Sequence, residues 1–285
     1  MTDAITVENL SKIFGTSKAV NDISFQVKKG TVFGFLGPNG AGKSTTIKML
    51  TCQLSPTSGN GYVCGFDISK KFTEIKKRIG VIFEFQNLYD ELSAFENLDF
   101  FRKLHNSPKN KTDEVLQLVG MDEHKKKKVR HFSKGMKQKI MIARALINDP
   151  EILFLDEPTS GLDPHSAREL RRLILNLREQ GKTILLTTHN MEEADFLCDS
   201  LAFIHKGDII AQDTPKHLKK EYGKDVVRIE TIAGEIYESP MNTKDSSDIF
   251  QRLSEDKQIL TICSKEATLE EVFIKLTGER WVDES

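Results

Sequence analysis

The fold is decided by residues 32–45, which read Val32-Phe33-Gly34-Phe35-Leu36-Gly37-Pro38-Asn39-Gly40-Ala41-Gly42-Lys43-Ser44-Thr45. The first five residues are continuously apolar, which is typical of a strand buried on both faces. The remainder satisfies the pattern G-x-x-x-x-G-K-[ST], and a helical run, Thr46–Leu50, follows it. The strand, the glycine-rich turn and the helix together predict a phosphate-binding loop.

This spacing suits phosphate binding because consecutive backbone N–H groups must curl around the anion. Glycines permit that close approach, and the helix N-terminus adds a favourable dipole. Lys43 would neutralise the outer phosphates, Ser44 would offer its hydroxyl to Mg²⁺, and Thr45 would stabilise the helix start. A glycine-rich turn with an exposed lysine is the alternative, but the flanks favour a nucleoside triphosphatase. We therefore expect nucleotide contacts from Gly37, Pro38, Asn39, Gly40, Ala41, Gly42, Lys43, Ser44 and Thr45.

Two acids end the apolar run Ile152–Leu155. The carboxyl edge of a parallel strand is where α/β folds place ligand chemistry. Asp156 fits a Mg²⁺ site, and Glu157 is placed to orient and partly deprotonate the attacking water as general base. His189 follows the next strand, Thr183–Thr188, and should emerge at the same edge within reach of the γ-phosphate. For the two acids, the structural alternative is a solvated acidic turn. For His189 it is a place just outside a helix that is capped by Asn190, with Glu193 three positions on as in a capping box, and this role is compatible with the functional one.

Length and composition describe an ordinary globular chain. The 285 residues correspond to roughly two domains at about 150 residues each. The net charge of -1 gives no global basic field, so we expect no nucleic-acid partner. No apolar run approaches the ~20 residues that cross a bilayer, and no secretory signal is visible.

The chain pattern predicts an α/β fold in two parts. Antiparallel strands open it, a helical subdomain occupies about 85–150, and strands and helices then alternate as in a parallel sheet. We place this first domain at 1–220. Residues 221–285 predict a small α+β domain of short strands and two helices, the last of which starts at a capping box of Thr268 and Glu271.

A family becomes visible at Phe132-Ser133-Lys134-Gly135-Met136-Lys137-Gln138, which is followed by a helical pattern. Here the sequence resembles the ATP-binding-cassette ATPases, whose LSGGQ signature opens a helix that faces the ATP held by a second subunit. Ser133 and Gly135 match that signature, whereas Phe132, Lys134 and Met136 depart from it. Serine is also an ordinary helix N-cap. Capping and ATP binding are compatible, because the N–H donors at a helix start also bind anions.

Other positions match the family one by one. Ser160-Gly161-Leu162-Asp163 resembles the loop that meets the opposite subunit, which assigns Asp163 to the site, and His189 resembles the switch histidine. Phe14 resembles the aromatic residue that stacks on adenine, with a core phenylalanine as the alternative.

One position departs from the family, because Glu84 stands where a glutamine usually senses Mg²⁺ and water. A carboxylate 4 Å from a phosphate charge would cost about 4 kcal/mol at an effective dielectric of 20. Glu84 must therefore bind metal, swing away, or yield to Gln86. We expect one of the two residues to couple nucleotide state to the partner.

The resemblance covers about residues 4–220 and implies a P-loop cassette fold that binds ATP and Mg²⁺. It implies a second cassette, identical or different, and a separate membrane permease seated near residues 84–105, with the chain held at the cytoplasmic face of the membrane. Three segments resemble exporter ATPases encoded apart from their permeases, with cargoes such as sodium, drugs, bacteriocins or polysaccharides: Met136–Gln138, Asn87–Leu92 and Leu269–Gly278.

Two other functions fit parts of the sequence less well. A soluble cassette ATPase acting on DNA or ribosomes is disfavoured, because the interval from Lys43 to Asp156 leaves no room for a long coiled coil and the chain holds one cassette. The run Lys125–Lys128 fits a solvated face better than a nucleic-acid patch. A sensor that binds ATP without hydrolysis is disfavoured by Glu157. Whether the small domain docks, regulates or dimerises stays open.

Overall fold

The structure, a computed structural model, describes residues 3–83, 87–223, 226–241, 244–255 and 258–279. The chain divides into two compact units, Met1–Ala211 and Gln212–Ser285.

The first unit opens with a four-stranded antiparallel layer in the order β2-β1-β4-β5. Its strands are β1 (Asp3–Phe14), β2 (Ser17–Lys28), β4 (Ser58–Val63) and β5 (Phe66–Asp67). β1 and β2 form a hairpin that pairs Phe14 with Ser17, and Gly15 takes a φ of 57° in the turn. The alternating buried and exposed residues of β2 confirm the hairpin pattern that the sequence predicts.

The second sheet has six strands in the order β10-β9-β3-β8-β7-β6. Neighbouring pairs among β9, β3, β8, β7 and β6 are parallel. Every residue of β3, β7 and β8 is buried, as expected for strands covered on both faces. The strands are β3 (Val32–Leu36), β6 (Ile79–Ile82), β7 (Ile152–Asp156), β8 (Thr183–Thr188), β9 (Ser200–His205) and β10 (Asp208–Asp213).

The helices of the first unit surround this sheet or form a subdomain between β6 and β7. The subdomain contains α3 (Ala94–Leu104), α4 (Lys111–Leu118) and α5 (Lys134–Ala145), which contact one another. Two short 3₁₀ turns, Asp122–His124 and Val129–His131, precede α5. The other helices are α1 (Lys43–Leu50), α2 (Phe72–Lys76), α6 (Pro164–Glu179) and α7 (Met191–Leu197).

One core joins the two sheets and α1. Phe25 of the antiparallel layer stacks on Phe33 of the parallel sheet, with ring centroids 5.3 Å apart. Ile47 and Leu50 of α1 are fully buried in the same cluster. This packing anchors the phosphate loop at both ends, because its flanking strand and helix both belong to the core.

The second unit contains α8 (Pro215–Tyr222), β11 (Val226–Thr231), β12 (Ile236–Pro240), α9 (Lys244–Glu255), β13 (Ile259–Lys265) and α10 (Leu269–Thr277). Its strands form an antiparallel sheet in the order β12-β11-β13. The predicted capping box is confirmed, because Thr268 accepts from Glu271 N and the Glu271 carboxylate accepts from Thr268 N. The antiparallel layer, parallel core, helical subdomain and small α+β unit together confirm the predicted fold class.

Across the part of the chain that the structure describes, no helix combines the length and apolarity needed to cross a membrane.

Candidate nucleotide-binding site

The phosphate loop joins β3 to α1 through a left-handed backbone at two of its glycines. Gly42 caps α1 with a φ of 113°, and Gly40 takes a φ of 77°. A Cβ at Gly42 would lie 2.5 Å from the carbonyl oxygen of Ala19. Both positions favour glycine for backbone conformation, and Gly42 needs it for space as well.

The loop encloses a cavity of about 210 Å³ that the Glu157 side chain also borders. Gly37 and Ala41, which the sequence predicts to contact nucleotide, do not line this cavity and instead form hydrogen bonds within the loop. Ala41 N donates to the Pro38 carbonyl at 3.2 Å, and the Gly37 carbonyl accepts from Lys43 Nζ. The residues that line the cavity are Pro38, Asn39, Gly40, Gly42, Lys43, Ser44, Thr45 and Glu157.

Lys43 and Glu157 form a buried ion pair at the floor of this cavity. Lys43 Nζ lies 3.1 Å from Glu157 Oε1, and the two side chains are 6% and 9% exposed. The folded chain thus brings together two of the catalytic residues that the sequence predicts. In this arrangement the lysine head group contacts the carboxylate and the carbonyls of its own loop.

His189 completes the cluster from the end of β8. Its Nδ1 lies 2.8 Å from Glu157 Oε2, and its backbone N donates to the same oxygen at 3.3 Å. Burial raises the pKa of Glu157, but the His189 hydrogen bond and the charge of Lys43 outweigh burial, so the pKa is lowered from its ordinary value. The carboxylate is therefore held in the ionised form that a proton acceptor requires.

Glu157 is held in a strained backbone conformation. Its φ is 50°, which is uncommon for a residue with a long side chain. The Glu157 N–H donates to both the carbonyl and the hydroxyl of Thr187, each at 3.1 Å. Such strain persists only when neighbours fix it, and it recurs at functional sites.

Asp156 ends β7 and is almost fully buried. The hydroxyl of Thr187, on the adjacent strand β8, donates to Asp156 Oδ1 at 2.5 Å. Asp156 does not line the cavity directly, whereas Ser44 does. Thr187, which the sequence analysis did not single out, supports both acids and carries no sequence signal beyond its place before Thr188 and His189.

The donor set suits Mg²⁺ held jointly with a nucleotide. A serine hydroxyl and an aspartate carboxylate are hard oxygen ligands, and Mg²⁺ takes its remaining ligands from phosphates and water. Within the described ranges, no group of three or more His, Cys, Asp or Glu side chains is placed to hold a metal alone. Glu84 and Gln86, the other predicted metal ligands, lie outside the described residues.

Ser133, Gly135 and Asp163 lie at the starts of two other helices. Ser133 caps α5 by accepting from Met136 N at 3.2 Å, and Asp163 caps α6 by accepting from Ser166 N at 3.0 Å. A Cβ at Gly135 would lie 2.5 Å from Ser166 Oγ, so the two helix starts are in close contact. None of the three is among the residues that line the phosphate-loop cavity.

Phe14 lies at the tip of the first hairpin and is 50% exposed. The Lys12 ammonium sits 5.2 Å from the centre of its ring. The alternative that Phe14 belongs to the core is therefore wrong.

A second cavity of about 410 Å³ adjoins the cluster and shares Glu157 and His189 with the site. Its rim includes Ser160 and Gly161, and Arg168 and Arg171 also line it. The two arginines were missed because charged residues on an amphipathic helix usually mark a solvated face.

Comparisons with known proteins agree with this geometry. A family model described as ABC transporter matches residues 20–160. A fluoroquinolones export ATP-binding protein of Mycobacterium tuberculosis (strain CDC 1551 / Oshkosh) is 39% identical over 98% of this chain and 95% of its own length. The bacitracin transport ATP-binding protein of Bacillus licheniformis is 37% identical over 98% of both chains.

A solved structure gives the same result. A dimeric ATP-binding cassette in a post-hydrolysis state, bound to ADP and Pi, matches with a TM-score of 0.67 and 26% identity. The match covers 74% of this chain and 98% of that one.

Proposed function

The chain belongs to the ABC transporter family as an ATP-binding subunit with ATPase activity, and on that premise we propose that it powers export through a separate membrane permease. The observation that carries the proposal is the cluster of Lys43, Glu157 and His189 at the phosphate loop. The relatives are transport subunits, so a soluble cassette that acts on DNA or ribosomes is not retained.

Nucleotide binding starts when Lys43 exchanges its ion-pair partner Glu157 for the phosphates. A triphosphate that enters the loop offers Lys43 a stronger anion than Glu157, so the ion pair opens and the ammonium turns to the outer phosphates. Glu157 then loses one of the groups that lower its pKa. Its carboxylate becomes more basic as the phosphates arrive, which couples substrate binding to activation of the base.

Hydrolysis follows from the position of the two remaining groups. Glu157 orients the attacking water and accepts its proton, while His189 holds the carboxylate and reaches toward the γ-phosphate. When bound, Mg²⁺ neutralises developing charge on the phosphate oxygens, and Ser44 and Asp156 are the residues we assign to hold it. Phe14 stacks on the adenine ring.

A second cassette completes each site. Ser133, Gly135 and Asp163 are built as helix starts, whose free N–H groups and dipoles attract anions, yet they do not line the phosphate-loop cavity of their own chain. We assign them to the ATP of the opposite cassette, identical or different. This assignment fits the dimeric form of the solved relative.

The permease contact is assigned to an aromatic patch on the helical subdomain. Tyr89 and Phe100 are 50% and 48% exposed, with ring centroids 5.7 Å apart, and Leu104 is 66% exposed. Phe100 also meets Phe101, whose ring lies 4.9 Å from the guanidinium carbon of Arg144. Clustered exposed aromatics mark interaction sites. Docking there would hold the chain at the cytoplasmic face of the membrane.

The relatives' names support export but refer to different compounds, namely fluoroquinolone export, bacitracin transport, Nod factor export and linearmycin resistance. We therefore place cargo recognition in the permease and the energy source in this chain. The unit Gln212–Ser285 is proposed as an accessory domain of the cassette.

The test is to solubilise the native complex in detergent, recover it through this chain and identify what accompanies it. We expect a membrane protein with several spanning segments, and vesicles that hold the complex should move cargo only with hydrolysable ATP. Recovery without any such protein would overturn the proposal.

A further inference from the structure

Glu193 is a fully buried acid in the first turn of α7, with 0% exposure. The sequence suggests an ordinary capping box, and half of it forms, because the Asn190 side chain accepts from Glu193 N at 2.8 Å. In the other half, Asn190 N donates to the Thr188 hydroxyl at 3.0 Å instead of to the glutamate. The Glu193 carboxylate is therefore available to other partners.

Those partners lie on two different loops. The Thr188 hydroxyl donates to Glu193 Oε2 at 2.9 Å, and the Thr159 hydroxyl donates to Glu193 Oε1 at 2.7 Å. Arg171 Nε lies 3.6 Å from the same Oε1. Each carboxylate oxygen thus holds one loop, and the Thr188 hydroxyl uses both its donor and its acceptor capacity.

The two loops carry the chemistry and the expected contact with the second cassette. The first runs from Glu157 through Thr159 to Asp163, and the second contains Thr188 and His189. They already meet where His189 Nδ1 lies 2.8 Å from Glu157. The Glu193 bridge is a second junction, and the Glu193 side chain at its centre is fully buried.

We propose that Glu193 is a positioning residue that locks the loop 159–163 to the His189 loop, so that seating of the second cassette against loop 159–163 keeps His189 in its existing contact with Glu157. The inference rests on the proposed function, which supplies that cassette. Its physical basis is that a buried carboxylate loses much free energy if either hydroxyl withdraws. Neither loop can therefore shift without moving the other.

The two threonines are better targets for mutation than Glu193, because removing a buried acid would destabilise the folded chain. Thr159→Val and Thr188→Val each delete one hydroxyl at nearly constant volume, and Thr159→Ser returns the hydroxyl. Thr183→Val is the matched control, since this buried threonine lies at the other end of β8 and its hydroxyl accepts from Gly30 N at 3.0 Å. All variants are full-length and are compared for thermal unfolding before ATPase rates are measured by phosphate release.

We expect Thr159→Val to lower kcat about tenfold while KM for ATP stays within about twofold, as for loss of a hydrogen bond to a charged group. Thr159→Ser should restore the rate, and the double variant should be no slower than the slower single variant, because both bonds serve one carboxylate. The inference is overturned if Thr159→Val matches Thr183→Val, if serine does not rescue, or if the two losses multiply. Wild-type protein without ATPase activity would instead refute the proposed function.

Discussion

The Lys43–Glu157 ion pair predicts how the nucleotide-free protein responds when its charge is removed. Lys43→Met keeps most of the side-chain volume but leaves Glu157 buried with His189 as its remaining partner. At 3.1 Å the attraction between the unit charges is about 5 kcal/mol at an effective dielectric of 20. Breaking one side of a buried pair typically costs about 3–5 kcal/mol. Because His189 still contacts the carboxylate, we expect a loss near the lower end, about 3 kcal/mol.

That loss corresponds to a fall in Tm of about 6–12 °C for a unit of this size. The assay is scanning calorimetry without nucleotide, at pH 7 and again in acid. The matched control is Lys48→Met, which removes an exposed lysine from the last turn of the same helix and should shift stability by no more than about 0.5 kcal/mol.

The pH dependence has a definite sign. The pKa of Glu157 is lowered from its ordinary value of 4.5 in the folded chain. The contribution of the pair is therefore complete above pH 4.5 and is lost as pH falls through the lowered value. The difference between wild type and Lys43→Met should be full at pH 7 and should shrink in acid. Equal Tm values at pH 7, or a difference that grows in acid, would refute the reasoning.

Three further predictions address the phosphate loop, the stacking of Phe14 on adenine and the surface that contacts the permease. Gly42→Ala should abolish ATP binding in calorimetric titration, because its Cβ would lie 2.5 Å from the Ala19 carbonyl oxygen at a φ of 113°; unchanged affinity would show that the loop tolerates a side chain. Phe14→Leu should weaken ATP binding about fivefold, the worth of an aromatic stack of about 1 kcal/mol, whereas Phe14→Trp should retain it; equal affinities in all three proteins would remove the stacking assignment. Phe100→Ser should keep basal ATPase activity but lose permease-stimulated activity, while Phe72→Ser, which alters another exposed phenylalanine, should lose neither; full stimulation of the Phe100 variant would exclude the patch as the contact.

Local patterns were sufficient to predict the elements that build the site. The apolar run of β3 and the glycine spacing predict the loop, and the acids that follow the apolar run of β7 predict Asp156 and Glu157, because each signal lies within a few adjacent residues. The caps at Ser133 and Asp163 were predictable for the same reason.

Contacts across the sheet could not be predicted in this way. Thr187 and Asp156 lie on neighbouring strands, and Thr159 and Glu193 are far apart in the sequence and form a hydrogen bond only in the folded chain. The sequence suggested a capping box at Asn190, but a hydroxyl two residues earlier competes for its N–H and diverts Glu193. The exposure of Phe14 was equally undetermined, because a hairpin tip and a buried strand can share the same local pattern.

The account as a whole depends on ATP joining two cassettes, and light scattering on the Glu157→Gln protein tests this most directly. This variant keeps the phosphate loop and the start of α5 but lacks the proton acceptor. ATP and Mg²⁺ should therefore convert it to a stable species of twice the monomer mass. The same protein carrying Ser133→Ala should stay monomeric under those conditions. A Glu157→Gln chain that remains monomeric at saturating ATP, both alone and mixed with any cassette recovered in the detergent-solubilised complex, would contradict the account.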